Sequence, residues 1–316
     1  MLIQFRFENF KSFRDDTILD FSATRITEHG EHIVLQGNEK LLPIAAVYGA
    51  NASGKSNIVE AFRFMATYVK KSFQYGGNNE TEQTGKAAYT PFLFDTAYQD
   101  AESSFEVFFI NSDTEDEKTY NYGFTLNHDG IEEEWLNVKA KTARTSKRIF
   151  YRSNSGLDLR YIPSKMQENL RLSLEKETLI VSLGAKLRID ILKLVWDWFD
   201  HQKFADFSDP FENAFLARRL PSDFLDKQVQ QKVVSYLSAF DSSIVDFHAE
   251  KNEDGKSMKI ESIHRRDNGT MAALPLAQES SGTLKMIALY PVLQSVLDHG
   301  SALVVDDLDA QLQPLL

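Results

Sequence analysis

The chain has 316 residues and a mass of 36.0 kDa, enough for one large domain or two modest ones, each with its own apolar core. With 42% hydrophobic and 26% charged residues it is not a disordered chain, and the absence of cysteine excludes disulfides, thiolate metal sites and a cysteine nucleophile. A formal net charge of −11 works against indiscriminate capture of nucleic acid, so any such contact has to be local or supplied by a partner.

The opening residues MLIQFRFENFKSF alternate apolar and polar side chains as a half-buried strand does, and lack the basic and apolar regions of a signal peptide. No apolar run reaches the roughly 20 residues of a membrane-spanning helix, so a soluble, cytoplasmic protein with no membrane partner is expected. TILDFS repeats the strand alternation. The apolar run LLPIAAVYG then reads as a strand buried on both faces. From Lys55 the residues Ile58, Phe62, Met65 and Val69 recur at helical spacing, up to QYGGNN, whose paired glycines stop a helix.

Between about Ser103 and Ile162 the short runs SFEVFFI, KTYNYGFTL, IEEEWLNV, RIFYR and LDLRYI, separated by polar or glycine turns, predict an antiparallel β region. From about Lys165 to Phe240 helical periodicity takes over, most clearly in ETLIVSLGAKLRIDILKLVWDWF and DKQVQQKVVSYLSAF, the second with Ser222 as its N-cap. Strands return in IVDFHAE, SMKIESIHR and TMAALPLAQ. A helix follows from about Gly282, and the apolar strand ALVV at 302–305 comes last.

GANASGKS, from Gly49 to Ser56, matches G-x-x-x-x-G-K-[ST] between a predicted strand and a predicted helix, the setting of a phosphate-binding loop. The glycines let the backbone curl so that its amides face inward, with Gly49, Asn51, Ser53 and Gly54 as nucleotide-binding positions, and the helix N-terminus adds partial positive charge. Lys55 is assigned to the β and γ phosphates of ATP and Ser56 to Mg²⁺. A plain glycine turn capping a βα unit leaves Gly49, Gly54, Lys55 and Ser56 unexplained as a set. The strand end ALVVDDLD supplies carboxylates where such a site needs them: Asp306 to support Mg²⁺ through water, Asp307 to orient or deprotonate the attacking water. The same letters permit an Asp-x-Asp nuclease element through Asp307 and Asp309, but no glutamate-glycine strand end precedes it to complete a two-metal site.

Taken together, FENFKSF, GANASGKSN with Asn57 after the loop, ESSGTLKM and VVDDLDAQLQPLL resemble the ATPase head of the SMC, RecF and OLD group of ABC-type ATPases, closest to small ATPases of bacterial anti-phage and abortive-infection systems. The resemblance implies that Ser281 and Gly282 belong to a signature motif that touches ATP held by an opposing subunit. It places Thr283 where many members have a second glycine. By the same resemblance Lys11, Ser12 and Phe13 lie in the loop that approaches adenine and phosphates. Relatives usually carry glutamate where this chain has Asp307, and often histidine where it has Gln313. They also continue with further strands, helices and a switch histidine, whereas this chain stops at Leu316, so a truncated head with an incomplete sheet edge is expected.

The fold expected is therefore an α/β P-loop head. Residues 1–75 form an N-terminal ATPase lobe, 88–164 an antiparallel β region, 165–240 a helical insertion and 241–316 a C-terminal lobe with signature and acidic strand end. The function implied is ATP binding and hydrolysis by a head that dimerises around ATP, or forms a higher oligomer, and switches an effector nuclease, with DNA or RNA as a further partner. Two rivals are an ATP-sensing scaffold with little hydrolysis and a P-loop phosphotransferase, which would need an arginine-bearing lid after the loop. Other signals read as solvent-facing or core features: His29 and His32 in a polar turn, the basic stretch Lys139 to Arg148 as a solvated hairpin, and Trp196 and Trp198 in an apolar helix.

Overall fold

The computed structural model describes residues 1–26, 28–75, 89–111, 117–207, 220–221, 223–251 and 258–308. The chain divides into two compact units, one comprising Met1–Gln202 with His299–Ala302, the other Lys203–Asp298 with the chain from Leu303.

The first unit is built on strands β1 (Leu2–Glu8), β2 (Thr17–Asp20), β3 (Val34–Gln36), β4 (Glu39–Leu41), β5 (Ser103–Ile110), β6 (Thr119–Asn127), β7 (Gly130–Lys139), β8 (Lys147–Ser153) and β9 (Gly156–Asp158). Seven of them form one antiparallel sheet in the order β2-β1-β5-β6-β7-β8-β9, while β3 and β4 make a separate hairpin. The alternation legible in the sequence sets which face is covered. Phe5 and Phe7 of β1, Phe105, Val107 and Phe109 of β5, and Tyr122 and Phe124 of β6 are all buried.

Helices α1 (Lys55–Lys71), α2 (Thr96–Gln99), α3 (Ser164–Ser173), α4 (Ile180–Lys186) and α5 (Asp190–His201) belong to the same unit. The apolar stripe of α1 meets the sheet through aromatic pairs: Phe62 with Phe5 at 5.0 Å between ring centroids, Tyr68 with Phe124 at 5.5 Å. On α5, Trp198 stacks on Phe109 at 4.1 Å and 18°. Rings of this size, buried in offset or tilted pairs, supply much of a core's cohesion.

Beneath α4 lies a fully buried carboxyl group. Glu134 of β7 accepts hydrogen bonds from the backbone amides of Ile180 (2.6 Å) and Val181 (3.1 Å) and from the Tyr122 hydroxyl (3.0 Å). Burial pushes its carboxyl up to about 7, against the pull of those two amides and of the Arg152 guanidinium. Arg152 in turn donates to the carbonyls of Thr178 and Glu175, tying the turn before α4 to β8.

The second unit pairs β10 (Lys203–Asp206) in parallel with β14 (Leu303–Asp306), and β11 (Ile244–Lys251), β12 (Met258–Arg265) and β13 (Met271–Pro275) form an antiparallel sheet. Its helices are α6 (Lys227–Leu237) and α7 (Ser281–His299). Phe224, Val233, Leu237, Ile244, Phe247 and Ile287 share one core, with Leu303 and Val305 packed against it. Both units together give a mixed α/β chain with a large antiparallel sheet, and among the described residues no helix is long and apolar enough to cross a membrane.

Four details depart from the sequence reading. The run at 44–48 forms no strand: Ile44 is 80% exposed and Tyr48 92%, because an apolar run becomes a strand only where a neighbour completes its ladder, and no described strand pairs with it. The helical stretch from 165 to 240 contains β10. ETLIVSLGAKLRIDILKLVWDWF is two helices, reversed at Arg188 (φ 58°), with Gly184 so close to Leu192 that a Cβ there would fall 2.1 Å from its side chain. Finally, α6 is capped by Asp226, whose carboxylate accepts from the Gln228 amide at 2.7 Å; Ser222, the cap expected, lies outside the described residues, as do Gly76, Gly77 and 309–316.

Candidate nucleotide-binding site

The loop from Gly49 to Gly54 is a tight curl. The Ser53 amide donates to Ala50 O at 3.2 Å, and a Cβ on Gly49 would lie 2.7 Å from Ser53 Oγ. Ala52 has φ 62° and Gly54 φ 95°, two left-handed residues within three positions, and Asn51 and Ser53 are exposed. α1 starts at Lys55 immediately after this reversal, and the first amides of a helix have no partner inside it. Anions are favoured at such an end. Lys55 Nζ donates to Gly49 O (2.9 Å) and Ala50 O (3.0 Å), so its charge is held inside the loop, and Ser56 beside it is exposed.

The N-terminal loop braces this curl. Asn57 Nδ2 donates to Ser12 Oγ at 2.8 Å, and Lys11 pairs with Glu60 one turn along the helix. A Cβ on Gly54 would meet Ser12 Oγ at 2.8 Å and the Phe13 ring at 3.1 Å. The structure thus brings Lys11, Ser12 and Phe13 together with Gly54, Lys55 and Asn57. A residue that sequence reading passed over organises the brace: Asn9, 1% exposed and at φ 52°. Its Nδ2 reaches Tyr98 O (3.0 Å) and Ala101 O (2.9 Å), its Oδ1 accepts from the Phe92 amide (2.9 Å), and its carbonyl accepts from Ser103 Oγ. Asparagine's tolerance of the left-handed region was the one signal available.

The other candidate residues lie in the second unit. β14 ends in Asp306, half-buried, followed by the exposed Asp307 at φ 50°, whose amide contacts Asp306 Oδ1 at 3.1 Å. Parallel pairing sets Asp206 directly across from Asp306, so two neighbouring strands end in a carboxylate. KFAD echoes LVVD only in its last three positions, apolar, apolar, acid, and its segment read as helical, so Asp206 escaped notice. Among the described residues no group of three or more His, Asp or Glu side chains is arranged to hold a metal ion, and Asp309 lies outside them.

At the start of α7, Ser280 Oγ accepts from the Thr283 amide at 3.0 Å, which makes Ser280 the N-cap. Ser281, one position further, is exposed, and Gly282 is half-buried beside it. One turn on, Lys285 is only 5% exposed, with its ammonium 4.5 Å from the Phe207 ring centroid, and burial lowers its pKa. The Phe207 amide donates to Asp306 O at 3.1 Å, so α7 is fastened to the strand pair that carries Asp206 and Asp306.

His29 and His32 are both exposed in a turn, and Lys139 to Arg148 span the β7–β8 hairpin, where Lys147 sits 3.6 Å over the Tyr161 ring. Trp198 is core, and Trp196 donates to Lys70 O at 3.3 Å.

A left-handed glycine curl opening onto a helix N-terminus, with a lysine held in the curl, defines a P-loop nucleotide-binding domain. The family described as "AAA domain, putative AbiEii toxin, Type IV TA system" matches residues 44–316, the greater part of the chain, and the chain belongs to this family. No curated protein matches the chain. AAA domains bind nucleotide, and P-loop members generally use ATP with Mg²⁺. The loop fits that cofactor: a side chain at Gly49 would crowd Ser53 and Lys55 within the curl, one at Gly54 would collide with Ser12 and Phe13 that brace it, and the α1 amides and Lys55 supply the positive charge that phosphates require.

Proposed function

We propose that the chain is an ATP-binding and ATP-hydrolysing head of the SMC, RecF and OLD kind, which dimerises around ATP and acts as a conformational switch on an effector nuclease in anti-phage defence or nucleic-acid processing. The observation that carries this reading is the brace of Ser12, Phe13 and Asn57 around Gly54, which fixes the loop in the curl a phosphate needs. Lys55 and the α1 amides hold the phosphates. Ser56 and Asp306 are the residues to hold Mg²⁺, which when bound offsets phosphate charge. Ser281 and Gly282, exposed or half-exposed at a capped helix start, serve the nucleotide of a second copy. The family's abortive-infection description supports the defence setting.

The test is ATP-driven association. Sedimentation with Mg²⁺ and ATP gives dimers for the native chain and monomers for Ser281→Arg, at equal ATP affinity per monomer, since the added bulk and charge meet only the partner's nucleotide. Dimers that persist in Ser281→Arg contradict the head reading.

A second reading, an ATP-sensing scaffold with little hydrolysis, draws support from Asp307. Its carboxylate is one methylene shorter than the usual glutamate, and its backbone sits at φ 50°, where aspartate is tolerated better than glutamate. Hydrolysis is accordingly slow. Asp307→Asn lowers phosphate release further, by up to roughly 10²-fold, at unchanged ATP affinity if Asp307 handles the attacking water. A rate unaffected by Asp307→Asn favours the scaffold or a base elsewhere.

A further inference from the structure

His264, Ser262 and Glu279 form a side-chain cluster that has been given no role so far, although Glu279 opens the ESSGTLKM segment. Glu279 comes two residues before Ser281, and its side chain is only 5% exposed. His264 Nε2 lies 2.6 Å from Glu279 Oε1, and His264 Nδ1 lies 2.9 Å from Ser243 Oγ. Both contacts are met when Nε2–H donates to the carboxylate and the Ser243 hydroxyl donates to Nδ1. Ser262, fully buried, has its hydroxyl against the same carboxylate and 3.1 Å from Leu274 O. Two side chains of β12 thus converge on Glu279, 15 and 17 positions further along the chain, and Ser243, just before β11, holds the far side of the His264 ring.

The backbone around Glu279 is otherwise lightly held. Its amide donates to Leu276 O at 3.1 Å, closing a short 3₁₀ turn, and its φ and ψ of −64° and 158° lead straight into the Ser280 cap. Three successive residues therefore have separate tasks: Glu279 anchors to β12, Ser280 caps α7, and Ser281 stands exposed. A carboxylate this enclosed stays where charge-assisted donors compensate its desolvation. Without those donors it would swing toward water and carry Ser280 and Ser281 with it.

We propose that Glu279, clamped by His264 and Ser262, is the positioning residue that sets the Ser281–Gly282 segment to engage nucleotide bound by a second copy of the chain. This rests on the head-dimer reading above. Its distinct consequence is that His264 and Glu279 act across the interface, on the partner's P-loop and not on their own.

Mixed dimers test this. His264→Leu and Glu279→Gln each weaken ATP-driven association about tenfold, the loss of one charge-assisted hydrogen bond, with ATP affinity per monomer unchanged. His264→Gln, which keeps an N–H donor on that side chain, recovers most of the association. Mixing differently labelled His264→Leu and Lys55→Ala copies restores pairing, because one of the two composite sites then has a sound P-loop facing a sound signature segment. Mixing Ser281→Arg with Lys55→Ala must restore pairing by the same logic. If that control recovers while the His264→Leu mixture does not, His264 acts within its own copy and the proposal is wrong. If the control itself fails, the head-dimer reading falls, and the proposal with it. Full association by both His264→Leu and Glu279→Gln alone also overturns it, and Glu279→Gln, which preserves side-chain volume, keeps the test valid should His264→Leu not fold.

Discussion

The sheet around Glu134 and the loop around Gly54 lie in the same unit and are built on opposite terms. In the sheet, a fully buried carboxylate has its acceptors engaged by Ile180, Val181 and Tyr122, and aromatic side chains from β1, β5 and β6 close over α1 and α5. Around the loop, Ile44, Tyr48, Asn51 and Ser53 are exposed, Ala52 and Gly54 are left-handed, and the curl is held by a few hydrogen bonds and the close approach of Phe13. Stability is concentrated in the first region. Strain and exposed donors, which a phosphate can use, are concentrated in the second. Substitutions should therefore separate cleanly: those in the sheet change unfolding, those in the loop change binding.

The largest effect is expected at Glu134. Glu134→Ala leaves two buried amides and a phenol without their acceptor, a loss of about 3 kcal/mol or more, read as a lower urea midpoint. The same residue gives the sheet a pH signature. Its folded pKa of about 7 is above the ordinary 4.5, so the folded state favours the protonated acid. The stability it contributes is complete below about 4.5 and is lost as pH rises through about 7, a swing of roughly 3 kcal/mol. Urea melts from pH 4 to pH 8 should show that fall in the native chain relative to Glu134→Gln. A constant difference between the two would mean that folding leaves the Glu134 pKa at its ordinary value.

A smaller effect is expected at the loop. Gly54→Val puts a β-branched side chain at φ 95° and against Ser12 and Phe13, costing about 1–3 kcal/mol locally. The sharper consequence is functional: the brace shifts and ATP affinity falls at least tenfold, whereas the melt moves by only a few degrees. A variant that melts several degrees lower yet binds ATP normally would erase the contrast between the two regions.

The sequence revealed the parts of this molecule that are local. GANASGKS announced its own curl, the 3.6-residue spacing from Ile58 to Val69 announced α1, and the alternation of SFEVFFI and its successors announced the antiparallel strands. What it hid depends on partners distant in the chain. Asn9 reaches the carbonyl of Ala101, Asp206 faces Asp306 across a parallel ladder, and His264 closes on Glu279. None of these pairings leaves a period or a composition bias. The run at 44–48 erred the other way: its apolarity was plain, but apolarity does not supply a ladder neighbour.

The central claim is that the Gly49–Ser56 loop binds ATP through Lys55 without helping to hold the fold. Calorimetric titration of Mg²⁺ and ATP into the native chain and into Lys55→Ala, paired with their thermal melts, tests it most directly. The account predicts saturable binding by the native chain, no measurable binding by Lys55→Ala, and melting curves without nucleotide that overlay within about a degree, since the Lys55 ammonium donates, among the described residues, to two carbonyls of an exposed loop. Equal ATP affinity in the two proteins would contradict it.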